Sequence, residues 1–160
     1  MTPGRATLDD FAVGEEVVTG VRLVAGDDLD GFAALTGDAY PLHVDDAVAR
    51  AMGFERRIAQ GALTFSIAIG LIVESDFFGR AAVAFLGVTR MRARRPVVVG
   101  DAIRVHGVVT ACRPPRRAPS HGVVELSAIV LNQHGTAVMT FTERVLVHAA
   151  SLPVDPRGAS

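Results

Sequence analysis

Residues 61–74 read GALTFSIAIGLIVE, and the architecture of the whole chain follows from them. Apolar side chains surround almost the entire circumference of the helix that this segment predicts, which is typical of a buried helix rather than a surface one. The 14 residues are too few to cross a bilayer, which takes about 20. We therefore expect one central helix inside a soluble, non-membrane protein.

The rest of the chain predicts mainly a sheet. Strands are expected at residues 16–24, 81–94, 101–110, 122–132 and 136–149, with a hairpin turn at 133–135. Helices that come early and long strands that come late indicate an α+β domain, with an antiparallel sheet of about five strands around the central helix. Such a sheet has open edges and leaves the helix incompletely covered, so we expect a homodimer.

Length and composition limit the class of protein. The chain has 160 residues, enough for a single domain over residues 1–150, and residues 151–160 contain two prolines and predict a frayed tail. Cys112 is the only cysteine, which excludes an internal disulfide. The first residues have no apolar segment of the kind a signal peptide needs, so a cytoplasmic location is expected.

Charge is unevenly distributed along the chain. Residues 1–80 hold 13 acids and 6 arginines, whereas residues 81–160 hold 4 acids and 10 arginines, and there is no lysine. A net charge of −1 argues against nucleic-acid binding, although the basic second half suits a local anion site. No cysteine, histidine or carboxylate spacing predicts a metal site, so no metal is expected.

A carboxylate and an imidazole stand close together in FAALTGDAYPLH, residues 32–43. Pro41 lacks an N–H and favours an extended conformation at the residue before it, and Gly37 suits the end of a helix. We therefore expect Asp38 and His43 on an ordered loop, where they can hold one water between them as an acid/base pair. On these residues alone, an ordinary turn and a loop histidine remain the stronger interpretation.

Gly61 begins the apolar helix and is a candidate oxyanion site. The first N–H groups of a helix have no partner within it, and the helix dipole favours negative charge there. A glycine also allows a ligand to approach the backbone closely. The alternative is that Gly61 only lets the chain enter the core.

The runs LTGDAYPLH (35–43), GFERRIAQG (53–61) and RRPVVVGD (94–101), with Leu86-Gly87 before the last, resemble the MaoC-like hydratase family. This family contains the (R)-specific enoyl-CoA hydratases. The resemblance covers roughly residues 8–149 and implies a hot-dog fold. It implies reversible addition of water to a trans-2-enoyl thioester, with no cofactor beyond the coenzyme A of the substrate. It also implies that Asp38 and His43 are catalytic and that the Gly61 N–H binds the oxyanion.

Two residues depart from the pattern of the family. Tyr40 stands where the hydratases commonly carry Asn, and Gln60 stands where they commonly carry His. We expect both residues at the substrate site, where they would alter the acyl group that is accepted. Ser66 either hydrogen-bonds near the site or bonds back to a helix carbonyl, which is the commoner behaviour.

Arginines in the second half are candidates for binding phosphate. Arg90, Arg92 and Arg94 alternate along a predicted strand and should share one face. Guanidinium groups pair well with the phosphates of coenzyme A, and Arg94 is the best single candidate because it lies in a segment that resembles the family. The alternative is a solvated strand face paired with the acidic first half.

Three functions remain open at this point. The first is an enoyl-thioester hydratase or dehydratase, and the second is a hot-dog acyl-CoA thioesterase. The third is a non-catalytic protein that binds acyl thioesters. The carrier, coenzyme A or acyl carrier protein, is also open.

Overall fold

The computed structural model describes residues 4–114 and 121–149. The helices are α1 (Gly26–Thr36), α2 (Pro41–Val44), α3 (Asp46–Ala51) and α4 (Gly61–Glu74), after a short 3-10 turn at Leu8–Asp10. The strands are β1 (Glu16–Val18), β2 (Arg22–Leu23), β3 (Ala82–Ala93), β4 (Ala102–Arg113), β5 (His121–Leu131) and β6 (Ala137–His148). None of the helices in the described ranges is long and apolar enough to cross a membrane.

The strands form one antiparallel sheet in the order β1-β4-β5-β6-β3, and β2 pairs with β4 beside β1. Buried and partly exposed residues alternate along β4, β5 and β6, so the sheet has one inner and one outer face. The inner face shares a single hydrophobic core with α4, to which the helix contributes Leu63, Ala68, Leu71 and Ile72. This arrangement confirms the predicted α+β hot-dog fold.

The first predicted strand, residues 16–24, is wrong as a continuous element. It divides into β1 and β2 at Thr19, which is buried. The Thr19 hydroxyl accepts a hydrogen bond from the Val105 N–H at 2.9 Å, where a backbone carbonyl would do so in a regular ladder. A side chain therefore interrupts the pairing, and the sheet has six strands rather than about five.

The edge strand β3 is the most exposed of the long strands. It pairs only with β6 in the described part of the chain, and that pairing is interrupted by three register shifts. One shift lies between Thr89 and Arg92, where Arg90 has a φ of 55°. Large apolar side chains on β3 remain exposed, namely Val83, Phe85, Leu86 and Met91. The strand therefore has an open, apolar edge.

Two predictions concern residues that the structure does not describe. The frayed tail at residues 151–160 lies outside the described ranges. Within residues 4–114 and 121–149, the core contains residues from Phe11 to Val147. The expectation of one domain over residues 1–150 stays a prediction.

Candidate active site

The loop between α1 and α2 carries Asp38. Helix α1 ends where predicted, because Gly37 has a φ of 81° and its N–H bonds the Ala33 carbonyl at 2.8 Å. Tyr40 has φ −58° and ψ 135°, the extended conformation expected before a proline. Asp38 therefore lies on an ordered loop, as the sequence predicts.

His43 does not lie on that loop, and the prediction that it would is wrong. Residues 41–44 form the single turn of α2, with Pro41 at its first position. Proline suits that position, because its fixed φ is helical and the N–H that it lacks would have no partner there. The proline thus begins a helix that carries His43 in its last turn.

The imidazole of His43 is oriented by a backbone carbonyl. Its Nδ1 lies 2.7 Å from the Ile58 carbonyl oxygen. Because a carbonyl can only accept, Nδ1 carries the proton, and in the neutral ring Nε2 is left with a free lone pair. Nε2 makes no hydrogen bond to any described residue. The Tyr40 ring packs edge-on beside the imidazole, with 6.2 Å between centroids.

An ion pair holds α2 in place behind the imidazole. Arg57 Nη1 lies 2.5 Å from Asp30 Oδ1 of α1 and 3.4 Å from the His43 carbonyl oxygen, to which it donates. The hydrogen bond with Arg57 lowers the pKa of Asp30 below its usual value. The short helix that carries His43 is therefore tied to α1 through Arg57.

His43 and Gly61 line the same pocket, which has a volume of about 370 Å³ at the start of α4. The N–H groups of Gly61, Ala62 and Leu63 have no hydrogen-bond acceptor among the described residues, and no side chain caps the helix. A Cβ placed on Gly61 would meet nothing within 4 Å. The open helix start therefore presents free donors to the pocket that the imidazole lines.

Gln60 lies immediately before those donors but faces the interior. It is 1% exposed, and its Nε2 donates to the carbonyls of Leu29 (3.3 Å) and Asp38 (3.2 Å). Its Oε1 is buried and has no partner among the described residues. Its side chain therefore connects α1 and the Asp38 loop to the start of α4.

The structure does not bring Asp38 to the pocket wall. Asp38 is exposed, its carboxylate accepts no hydrogen bond in the described ranges, and it is absent from the pocket lining. The backbone of its loop is nevertheless fixed by Gln60. Of the predicted site residues, the structure therefore unites His43, Gly61 and Arg94, with Asp38 and Tyr40 on the exposed side beside them.

Arg94 contributes to two cavities. Arg94 lines the pocket of His43. Its Nε lies 3.3 Å from the Thr140 hydroxyl on the outer face of the sheet. There it borders a second, polar hollow of about 360 Å³ that is also lined by Arg90, Arg92, Ser127, Thr140, Phe141 and Thr142. None of the three arginines forms an ion pair with a described residue. The pairing of these arginines with the acidic first half is therefore not observed.

Ser66 bonds back to a helix carbonyl, which is the commoner of its two predicted roles. Its hydroxyl donates to the Ala62 carbonyl at 2.8 Å, one turn back in α4. Ser66 lines a separate pocket of about 590 Å³ between α4, β3 and β6, and not the pocket of His43.

Two further residues, which were not predicted, contribute to the site. Ile58 orients His43 through its main-chain carbonyl, which any residue would supply, so its identity carries no signal. Thr64, one turn into α4, lines the pocket and donates its hydroxyl to the Gln60 carbonyl at 3.3 Å. Its position one turn after Gly61 could have identified it. Within residues 4–114 and 121–149, no group of three or more His, Cys, Asp or Glu side chains could hold a metal.

Comparison with known proteins places this architecture in a family. The model of the MaoC like domain matches residues 10–132. The (R)-specific enoyl-CoA hydratase of Aeromonas caviae is 31% identical over 134 residues, which are 84% of this chain and 93% of the relative. Protein MaoC of Klebsiella aerogenes is 31% identical over 103 residues, which are 64% of this chain but only 30% of that longer protein.

A solved structure agrees over almost the whole chain. The monoamine oxidase regulatory protein from Archaeoglobus fulgius superposes with a TM-score of 0.84 and 30% identity, and the match covers 94% of this chain and 99% of that one. The family model spans the α1–α4 segment, which carries His43 and Gly61. The chain therefore belongs to the MaoC-like family of hot-dog hydratases and dehydratases.

Proposed function

We propose that this chain is an (R)-specific enoyl-CoA hydratase, which also runs in reverse as a 3-hydroxyacyl-CoA dehydratase. The observation that carries the proposal is one pocket lined both by His43, with its free Nε2, and by Gly61, with its free N–H. A base and an oxyanion donor at one cavity suit addition to a conjugated thioester. The name of the Aeromonas caviae relative supports the same reaction.

The proposed reaction moves a hydroxyl to C3 and a proton to C2 of the enoyl group. As the water oxygen attacks C3, the electrons of the double bond shift toward the thioester and negative charge develops on its carbonyl oxygen. The Gly61 N–H stabilises that oxygen in the transition state. His43 Nε2 accepts a proton from the water, and the imidazolium formed in this way then delivers a proton to C2. The thioester carbonyl re-forms, and the product contains all the atoms of the enoyl thioester and the water.

Asp38 is the proposed second partner of the water. Gln60 fixes the backbone of its loop through the 3.2 Å hydrogen bond to the Asp38 carbonyl. The carboxylate makes no competing hydrogen bond to a described residue, so it is free to turn toward a water held by His43. We propose that Tyr40, which is 61% exposed beside His43, contacts the substrate at the mouth of the site.

The carrier and the assembly are parts of the same proposal. The hollow of Arg90, Arg92 and Arg94 offers three guanidinium groups without an ion pair among the described residues, and Arg94 also lines the pocket of His43, which suits the phosphates of coenzyme A. We propose that two copies associate through the open edge of β3, because pairing would cover its exposed apolar side chains. A dimer is expected in sedimentation experiments.

The decisive experiment compares Gly61→Pro with Gly61→Ala. Proline at the first position of α4 removes one N–H, and the extended Gln60 (φ −55°, ψ 140°) is already compatible with a following proline. Alanine keeps the N–H, and its Cβ meets nothing within 4 Å. We expect Gly61→Pro to lower kcat by about 10²–10³-fold, as for other oxyanion donors, and Gly61→Ala, which keeps the N–H, to lose much less.

The assay follows the loss of enoyl-thioester absorbance with crotonyl-CoA, beside a free-thiol assay. Asp38→Asn keeps the shape and removes the carboxylate that is proposed to hold the water beside His43, and we expect it to lower the rate by about 10²–10⁴-fold. Release of free thiol would instead identify a thioesterase. Equal rates for Gly61→Pro and Gly61→Ala would remove the helix start from the mechanism, and no turnover of any enoyl thioester would leave only a binding protein.

A further inference from the structure

A larger cavity than the pocket of His43 lies along the middle of α4. It has a volume of about 590 Å³ and is bounded by α4, β3 and β6. Its wall is mainly apolar and includes Phe65, Ile69, Ile72, Phe85 and Val145. Such a wall suits a hydrocarbon chain.

One buried side chain of this otherwise mainly apolar wall is a carboxylic acid. Glu143 lines the cavity from the inner face of β6 and is 5% exposed. Its Oε2 is buried and has no hydrogen-bond partner among the described residues, and Glu143 forms no ion pair there. Burial raises its pKa from 4.5 to about 7, so below neutral pH the carboxyl is mostly protonated and can act as both donor and acceptor.

The neighbouring polar groups do not hydrogen-bond to the buried Oε2 of Glu143 in the described ranges. The Ser66 hydroxyl, on the same wall, is already bonded to the Ala62 carbonyl. Asp76 also lines the cavity, but it is an acid and offers no cation. A buried polar group without a partner costs free energy, which a hydrogen bond from a ligand in the cavity would offset.

Both cavities lie along the same helix and the same strand. Met139 lines the pocket of His43 and Glu143 lines the larger cavity, and both belong to the inner face of β6. Glu143 lies four positions after Met139, which corresponds to about 13 Å along the strand or about ten bonds of an extended chain. Phe65 packs edge-on against Phe141 at this level, with 5.1 Å between ring centroids. The further inference therefore requires that an acyl chain with its thioester at Gly61 passes between these two rings to reach Glu143.

We propose that Glu143 selects acyl chains that carry a hydrogen-bonding oxygen, a hydroxyl or a carbonyl, at about the tenth carbon. The inference rests on the proposed function, because it places the thioester at Gly61. The carboxyl O–H donates to the oxygen of the chain, and the carboxyl C=O accepts from a hydroxyl. A plain hydrocarbon of the same length leaves Glu143 without a partner, and a four-carbon chain ends before it.

The test measures binding and needs no turnover. Decanoyl-CoA and 10-hydroxydecanoyl-CoA, both saturated, are titrated calorimetrically into the full chain, into Glu143→Gln and into Glu143→Leu at pH 6. We expect the original protein to bind the hydroxylated thioester about 5–10-fold more tightly, which is the effect of one hydrogen bond. Glu143→Gln keeps the preference because the amide also donates and accepts, and Glu143→Leu reverses it.

Several results would overturn the inference. The same ratio of the two dissociation constants in the original protein and in Glu143→Leu would do so, as would no binding of either thioester. A loss of oligomer in Glu143→Leu, with an unchanged ratio, would assign Glu143 to an interface instead. Selective binding without hydration of any enoyl thioester leaves this inference standing and removes the proposed function, whereas hydration without selectivity does the reverse.

Discussion

The burial of Glu143 makes the stability of the fold depend on pH. Its pKa is 4.5 in an exposed state and about 7 in the folded protein, because burial disfavours the charged form. Between these two values the folded state binds more protons than the unfolded state, so stability falls as pH rises. At 1.36 kcal/mol per pH unit, the full difference is about 3 kcal/mol, lost as pH rises from 4.5 through 7.

Glu143→Gln isolates this contribution. Glutamine has nearly the same shape as glutamate and cannot ionise. The variant therefore does not lose this stability as pH rises. We expect the free energies of unfolding of the two proteins to agree within about 1 kcal/mol at pH 5, and the variant to be more stable by about 2–3 kcal/mol at pH 8. The measurement is urea unfolding at a series of pH values and one protein concentration, since assembly also affects apparent stability.

A matched control is Glu125→Gln on β5. Glu125 lies on the outer face of the same sheet, where its carboxylate pairs with Arg113 at 3.1 Å. It therefore tests the removal of a sheet carboxylate without the buried environment. If the original protein and Glu143→Gln kept parallel stability curves from pH 5 to pH 8, Glu143 would have a partner in solution. The burial argument would then fail, and with it the idea of a carboxyl available to a ligand.

Two further predictions concern the framework of the site. Gln60→Leu removes the donor to the Asp38 carbonyl and should lower the free energy of unfolding by about 1–3 kcal/mol. Amide hydrogen exchange around Asp38 should also become faster, and unchanged exchange would show that Gln60 does not hold the loop. Gly79→Ala should destabilise the fold by more than about 2 kcal/mol, because Gly79 has a φ of 51° and a Cβ would lie 2.6 Å from the Arg5 carbonyl oxygen. Gly37→Ala is its control in thermal unfolding, since its φ is also positive but its space is open; an equal loss in both would contradict the steric argument.

Features that depend on neighbouring residues in the chain were predictable from the sequence. The bounds of α4 follow from its apolar circumference, and Asp45 begins α3 by accepting from the Ala47 and Val48 N–H groups at 2.7 and 3.3 Å. The error at α2 is also local, because proline both ends helices and begins them, and only the surrounding structure selects the role.

Features set by distant contacts were not predictable. Thr19 interrupts the first strand through Val105, 86 residues away in the sequence. The Ile58 carbonyl orients His43, and no side chain records that role. Gln60 stands where the family resemblance places a substrate contact, yet its amide is directed inward to Leu29 and Asp38. Position in a motif therefore did not determine the direction in which the side chain points.

The inward position of Glu143, by contrast, is indicated by the sequence. Along β6 the buried residues Phe141, Glu143 and Val145 alternate with partly exposed Thr142 and Arg144. A glutamate that occurs in phase with core residues in a strand of alternating pattern should face inward, unlike the arginine beside it. Core carboxylates are rare unless paired, and no pairing residue is found in the described chain. The position of Glu143 in the alternating pattern thus predicts that its side chain faces the larger cavity. The calorimetric titration tests whether an oxygen of an acyl chain is its hydrogen-bond partner there.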